Sequence, residues 1–468
     1  MPEHIVHHIM SFLPTTSATR VSALSKNFNS AWLSFPVFDF DEALYEGVIG
    51  PSGDRTEFLD FVLASLKKRC PSDIYIQRFS LRVWAPEISD NRIQNSIRLA
   101  VDRNVNELVV EIQTFQNNYC RLPRTALQNA RLLSVLKLSG FSFEFEDLIP
   151  CLNLVEDLSL DSCSVSANFM LSSAKLKDLK LGFCRGLEKI EIDALNLQFF
   201  SYSAYHEEQH PCEINLSHCK NLRSLTLEES TISDDWVEDH VSQLVLLRNL
   251  KLIACRNLHK IKISNRQLVS FELLGCEKLL KAKIEAPNLI SFDYSGNIPD
   301  TTSPPKIILL CCTLAHAKLY LTTRKLTIYS FFNLRNFLTR FGHCKTLSLS
   351  LGSDQALIFP KEMREYLVHP LLDLRHMRVE LHSLSSLTGL VDGLLWLAPN
   401  LETMFISVKA ALKSLMLNLQ FYKWSPRSED HMIKKVKFVK YEGNNDEKMS
   451  MLNFFHEKAI RVEANSDH

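Results

Sequence analysis

The sequence predicts an α/β fold: a small helical module followed by a solenoid of short parallel strands, curved, with helices and irregular segments on the convex side. Three observations carry that expectation. An apolar phrase recurs from Leu136 to the middle of the chain, a weaker apolar beat lies between its copies, and the first forty residues carry helical stripes that no repeat explains.

The opening, "MPEHIVHHIMSFLPTTSATRVSALSKNFNSAW", reads as two amphipathic helices joined at a proline turn. Pro2 suits a first helical turn, Ile5, Ile9 and Leu13 recur at four-residue spacing, and Pro14 ends the run. Thr16 or Ser17 can cap the second helix, where Ala18, Val21, Leu24, Phe28 and Trp32 make a long apolar stripe. So short a segment cannot bury that stripe alone. It either caps the solenoid or meets a partner.

Further on, "RFSLRVW" reads as a strand around Leu81, "DNRIQNSIRLAVDRNV" as a helix and "ELVVEI" as a strand around Val110, so repeats are expected from about residue 75. From Leu136 the phrase L-x-x-L-x-L recurs, its strand-closing residues being Leu138, Leu160, Leu181, Tyr202, Leu227, Leu252, Leu273 and Tyr294. Ile192, Leu216, Ile263 and Ile284 each close a second strand on the opposite side of a coil. The longer coil after Leu227 contains "SDDWVEDHVSQLVLL". There Ser233 can cap a helix, and Trp236, Val237, Val241 and Leu244 share one face. After "DTTSPPK" the register loosens, returning in "KTLSLSL", "LRHMRVEL" and "LETMFIS". Near the end, "MIKKVKFVKYEG" reads as an edge strand guarded by lysines, followed by a helix over "NDEKMSMLNFFHEKA".

The repeated phrase resembles the leucine-rich repeat, and its period gives about ten to twelve coils. Cys163, Cys184, Cys219, Cys255 and Cys276 fall at the repeat's cysteine or asparagine position, where a buried side chain closes the turn after the strand. The residue between the two repeat leucines points away from the core. Those residues, Lys137, Ser159, Lys180, Ser201, Thr226, Lys251, Glu272 and Asp293, form a concave ladder running from basic to acidic. A ladder of that kind is a candidate target-binding surface, although a solvated face of mixed charge explains it more simply.

The first residues resemble the F-box, whose pattern is matched at Pro2, Ile5, Ile9, Ser11, Phe12, Leu13, Pro14, Ser22, Leu24, Ser25, Lys26 and Trp32. Phe28 stands where tryptophan is usual and Asn29 where arginine is usual. With the repeats, the chain resembles the plant F-box and leucine-rich-repeat proteins, whose members often end in an FBD segment; residues 426–468 look like that segment with a polar tail. The expected organisation is an F-box module over 1–40, a helical linker over 41–74, repeats over 75–300 and degenerate repeats over 301–425. The resemblance implies a substrate receptor of an SCF-type ubiquitin ligase, bound to a Skp-family adaptor and through it to a cullin scaffold, with an unidentified protein target on the repeats. It places adaptor contacts on Pro2, Ile5, Ile9, Leu13, Pro14, Val21, Leu24, Phe28 and Trp32. A repeat-only interaction protein that has lost its ligase connection is the alternative.

Other classes find less support. With 53 basic and 53 acidic residues among 468, nothing global draws the chain to nucleic acid or to an anionic membrane. The opening lacks the form of a signal peptide, and an intracellular protein of nucleus or cytoplasm is expected. The 12 cysteines form no C-x-x-C pair. His206, Glu207 and His210 match H-E-x-x-H, which would make a zinc hydrolase a remote alternative. That motif needs a helix, however, and here it lies between two expected strands, with Pro211 opposing helix at His210. No catalytic residue, metal or cofactor is expected.

Overall fold

Three short helices, rather than two, open the chain: Glu3–Met10 (α1), Thr15–Ser22 (α2) and Lys26–Ser34 (α3). The expected second helix breaks before Lys26 because Ser25 is extended (φ −159°, ψ 160°) and its side chain accepts the Phe28 N–H, starting a new helix. Val6, Met10, Ala18, Ala31, Trp32 and Phe35 form the core of the module. Arg69, 1% exposed, locks the end of α3. Its guanidinium donates to the carbonyls of Trp32, Phe35 and Val37 at 3.0, 3.0 and 3.1 Å, and lies 4.7 Å from the Trp32 ring centroid and 4.1 Å from that of Phe38. A buried cation is tolerable there because helix-end carbonyls and aromatic faces both present negative potential.

This computed structural model describes residues 1–13, 15–49, 55–69, 75–85, 91–114, 118–205, 211–298, 306–311, 313–323, 326–410, 413–421 and 433–464. The chain divides into two units, Met1–Ile232 and Ser233–His468. In the first, the parallel strands Val37–Asp41, Arg78–Ala85, Glu107–Thr114, Val135–Ser139, Asp157–Asp161, Asp178–Cys184, Phe199–Ala204 and Ser224–Glu228 pair in succession. The register sets Phe40, Leu81, Val110, Leu138, Leu160, Leu181, Tyr202 and Leu227 side by side. The sheet thus starts earlier than residue 75, with Val37–Asp41, and the helices Glu42–Ile49 and Arg55–Lys68 lie between its first two strands. A second parallel sheet, Asn168–Ser172, Lys189–Asp193 and Glu213–Asn215, forms the weaker beat, with Ile192 opposite Leu171.

In the second unit the strands Asn249–Ile253, Ser270–Leu274, Ser291–Asn297, His316–Thr322, Thr346–Ser353, His376–Ser383 and Thr403–Val408 pair in parallel. Lys260–Ser264, Lys281–Glu285 and Lys306–Leu310 make the return-side sheet. The helix read between Leu227 and Leu252 is present as Asp234–Gln243, with Ser233 Oγ accepting the Trp236 N–H and Val237 and Val241 buried. Two later coils carry the helices Ile328–Leu338 and Leu387–Leu397.

The chain then reverses: Lys413–Phe421 runs antiparallel to Thr403–Val408, and Ile433–Glu442 antiparallel to Lys413–Phe421. The lysine-rich strand is not an edge, contrary to expectation. After the helix Asn445–Lys458 the strand Ala459–Ala464 returns and pairs with it in parallel, so Ile433–Glu442 is bonded on both sides. Val436 and Phe438 are buried while Lys437 and Lys440 are exposed. The lysines solvate one face of an interior strand.

One corner geometry recurs. Two residues after the closing residue of its strand the backbone turns left-handed: φ is 79° at Gly140, 49° at Ser162, 48° at Phe183, 54° at Glu229, 52° at Ala254 and 66° at Gly275. The cysteine that follows in four of these corners is driven inward. Cys163, Cys184 and Cys276 thiols donate to the carbonyls of Leu138, Leu160 and Leu252 in the preceding coil, at 3.5, 3.4 and 3.8 Å. Cys255 contacts the Ile253 carbonyl, and Cys219, on the return side, donates to that of Ile192 at 3.5 Å. Burial pushes the Cys219 thiol up to about 11, and its hydrogen bond with Cys163, together with burial, holds Cys184 well above the ordinary range. Both are closing groups, with no thiolate character.

Candidate functional site

The N-terminal helices separate two apolar sets. On α1, Val6 and Met10 face inward at 0% exposure, whereas Ile5 and Ile9 are 41% and 40% exposed, and Phe12 just beyond is 74% exposed. Residues four apart on a helix share a face, so Ile5 and Ile9 form one outward row. Leu24, in the turn before α3, is also 74% exposed. The inward face is fixed by packing and by His7, whose Nε2 lies 2.9 Å from the Ala31 carbonyl oxygen and whose ring sits 5.3 Å from that of Phe35.

Of the residues named from sequence, Ile5, Ile9 and Leu24 are presented to solvent, and Pro2 caps α1 in the open. Val21 is half-buried; Leu13 and Phe28 are partly buried against the module's core. Trp32 belongs to that core at 5% exposure, beneath Arg69, so it supports the face from within. Pro14 lies outside the described residues, as do His206, Glu207 and His210. Among the described residues no group of three or more His, Cys, Asp or Glu could hold a metal ion, and no helix is long and apolar enough to cross a membrane. Phe12 completes the exposed row and was not singled out as a contact; its place about one helical turn beyond Ile9 and two residues before Pro14 was the available signal.

The ladder positions lie where strand alternation puts them. Lys137, Ser159, Lys180, Ser201 and Thr226 are in register in the first unit; Lys251, Glu272 and Asp293 are in register in the second. All are half-buried or exposed between buried leucines. Their charges are largely paired along the face: Lys137 with Asp157 at 2.8 Å, Lys180 with Asp161 at 3.4 Å, and Lys251 with Glu272 at 2.8 Å. Asp178 and Asp293 are held above the usual carboxylate range, in each case mainly by burial. The basic-to-acidic run is therefore a mosaic of neutralised pairs.

The ladder does not stop at Asp293. It continues through Lys318, Ser348, Arg378 and Phe405, all in register. Around Ser348 the face is hollow, with a trough of about 580 Å³ lined by His316, Lys318, Tyr320, Thr346, Ser350 and Arg378 among others. Sequence reading missed it because a trough depends on which residues of three strands stand side by side, and the strand His316–Thr322 lacks the L-x-x-L-x-L spacing.

Comparison with known proteins follows the same division. Residues 1–40 match the F-box domain model, and residues 204–454 match the model described as "At1g61320/AtMIF1, LRR domain". The chain is similar to "F-box protein At3g59000" of Arabidopsis thaliana, 26% identical over 285 residues that cover 53% of this chain and 57% of the relative. It is similar to "F-box/LRR-repeat protein At3g58900" of the same plant, 27% identical over 291 residues covering 54% of this chain and 84% of the relative. A third Arabidopsis relative, At4g03220, is 27% identical over 243 residues, 43% of this chain and 47% of the relative, and carries FBD in its name beside F-box and LRR-repeat. The matched stretches span about half the length of the first and third of these relatives.

Proposed function

Because this chain belongs to the plant F-box/LRR-repeat proteins, we propose that it is the substrate-recognition subunit of an SCF-type ubiquitin ligase. In this reading the N-terminal helices dock a Skp-family adaptor, which joins the chain to a cullin scaffold. The repeats hold a protein target, and the chain does no chemistry itself. Its contribution is proximity: a target held beside a charged conjugating enzyme meets the ubiquitin thioester at high effective concentration. Nucleus or cytoplasm is the compartment such a role requires. Residues 1–40 would be the adaptor module, residues 75–425 the regular and degenerate repeats, and residues 426–468 the FBD-like end.

The observation that carries the reading is the exposed row of Ile5, Ile9 and Phe12, with Leu24, on helices whose own core is already filled by Val6, Met10 and Trp32. A module with a complete core has no internal use for four large apolar side chains in water. An interface does. Co-purification of the full chain with a Skp-family adaptor and cullin is the test: a stable ternary complex is expected, and no complex at micromolar concentrations would sink the proposal.

A further inference from the structure

The trough has a regular construction. Its floor is the strand Thr346–Ser353, flanked by His316–Thr322 and His376–Ser383. Register places His316, Thr346 and His376 in one rung, Lys318, Ser348 and Arg378 in the next, and Tyr320, Ser350 and Glu380 in the third. Each rung is long, short, long. Three small hydroxyl residues therefore line a channel that runs along the strands, with walls two strand spacings apart, about 9.5 Å, and a length of about 13 Å over the three rungs. That is room for one extended chain of about four residues.

The middle rung sets the chemistry. Lys318 and Arg378 rise from opposite walls on either side of Ser348. Each has a carboxylate neighbour, but the anions lie lower than the cations. Lys318 is 59% exposed at its side chain against 13% for Asp293, 3.6 Å away, and Arg378 is 54% exposed against 27% for Glu380, 2.7 Å away. The Arg378 guanidinium is held 4.6 Å from the Phe405 ring, and only its Nε is hydrogen-bonded among the described residues, to Glu380. Its terminal nitrogens remain a fork for an incoming carboxylate. Tyr320, 43% exposed, closes the far rung with a surface that is apolar on its ring and polar at its tip.

We propose that this trough binds an extended acidic segment of a protein, one Asp or Glu side chain seated over Ser348 between Lys318 and Arg378 and its backbone following the hydroxyl floor. The inference rests on the target-binding role proposed above and names the chemistry of the target. It relocates recognition from the regular repeats to the hollow around Ser348, where two cations flank a hydroxyl floor; Lys137 and Lys180 also flank a serine, Ser159, but the floor positions on either side of it are Asp157 and Asp161, which repel an acidic segment.

The test is selection of random twelve-residue peptides displayed on phage against the full chain. Peptides with a recurrent Asp or Glu are expected. A synthetic consensus peptide should then lose about tenfold to a hundredfold in affinity on Lys318→Glu or Arg378→Glu, the cost of one charge-assisted contact. Ser348→Trp, which fills the floor, should abolish binding. Melting temperatures near wild type are expected for all three, since the positions face solvent; if Ser348→Trp unfolds early, the two charge reversals decide. No enrichment, a consensus without an acidic residue, or unchanged binding to both charge reversals overturns the inference. Adaptor binding is read separately on the same protein. An acidic consensus without adaptor binding removes the ligase reading and leaves the trough; adaptor binding without an acidic consensus does the reverse.

Discussion

The coils up to Lys306–Leu310 and those beyond solve the same problem with different chemistry. Along Leu252, Leu273, Tyr294, Leu319, Leu349, Val379 and Ile406, which stand side by side, the steps are 21, 21, 25, 30, 30 and 27 residues. Short coils return through five-residue strands such as Lys260–Ser264; two of the longer ones return through eleven-residue helices, Ile328–Leu338 and Leu387–Leu397. A strand rises about 3.3 Å per residue and a helix about 1.5 Å, so both return segments cover roughly 16 Å. Coil length follows from which element covers that distance.

The corners differ as well. Short coils turn through a left-handed residue followed by a buried thiol; beyond Gly275 no described residue has positive φ. The long coil after Leu349 turns instead through a buried carboxylate and hydroxyl side chains. The carboxylate of Asp354, 0% exposed, accepts from Ser385 N at 2.9 Å, from Ser385 Oγ at 2.8 and 2.9 Å, and from Ser386 N at 3.0 Å. Ser386 in turn caps Leu387–Leu397, its Oγ accepting from Gly389 N. A thiol bonds weakly and a buried carboxylate strongly. The Asp354 corner should therefore be the more sensitive to a single side chain.

Asp354→Ala breaks this contrast most severely. It removes a buried carboxylate that accepts from Ser385 and Ser386, and a loss of about 2–3 kcal/mol in unfolding free energy is expected by chemical denaturation. Cys255→Ala, the counterpart in a short corner, removes a small buried group and a weak hydrogen bond and should cost about 1 kcal/mol. Equal losses would mean the corners do not differ.

Next in size is Gly140→Ala. Its φ is 79°, and an added Cβ would lie 2.2 Å from the Ile112 carbonyl oxygen, so backbone must shift. About 2–4 kcal/mol is expected from strain and overpacking together. Ala254→Gly tests the same corner geometry in another coil, from the other side. Ala254 has φ 52°, so glycine relieves strain as it adds unfolded-state entropy, and stability should stay within about 0.5 kcal/mol of native. At Ala100, in the helix Asn91–Asp102, the same exchange should cost at least about 1 kcal/mol.

The smallest expected effect is on pH dependence. His369, with Nδ1 2.6 Å from the Trp396 carbonyl oxygen, is held below the ordinary 6.5, chiefly by burial; His240, stacked 4.3 Å from Trp236, is shifted the same way for the same reason. In both the folded state favours the neutral ring. That contribution is complete above the unfolded value near 6.5 and is lost as pH falls through it toward the lower folded value. His369→Gln should flatten the decline in melting temperature between neutral and mildly acidic pH; a steeper decline would contradict the assignment.

The same contrast explains what the sequence could tell. Between Leu138 and Tyr294 each coil buries the same positions, so the leucines announce strand, register and outward ladder together. Beyond Tyr294 the strands kept their apolar alternation, which is why Thr346–Ser353, His376–Ser383 and Thr403–Val408 were legible. Their mutual register was not, because variable return segments separate them, and the trough exists only through that register. The break before α3 had a signal in Ser25, a good N-cap overlooked inside an apolar stripe. The second partner of Ile433–Glu442 was hidden because Ala459–Ala464 directly follows a helix and reads as its continuation. Arg69 left no trace at all: its role depends on three carbonyls more than thirty residues away.

Whether α1 divides an outward adaptor face from an inward core, as proposed, is tested most directly by a calorimetric titration of the full chain with a Skp-family adaptor. Wild type should bind at micromolar affinity or tighter. Ile9→Glu should weaken binding by at least about thirtyfold, in line with a hot-spot loss, while leaving the melting temperature unchanged because Ile9 is already 40% exposed. Undiminished affinity for the Ile9→Glu protein, or no heat of binding from wild type, would contradict the account.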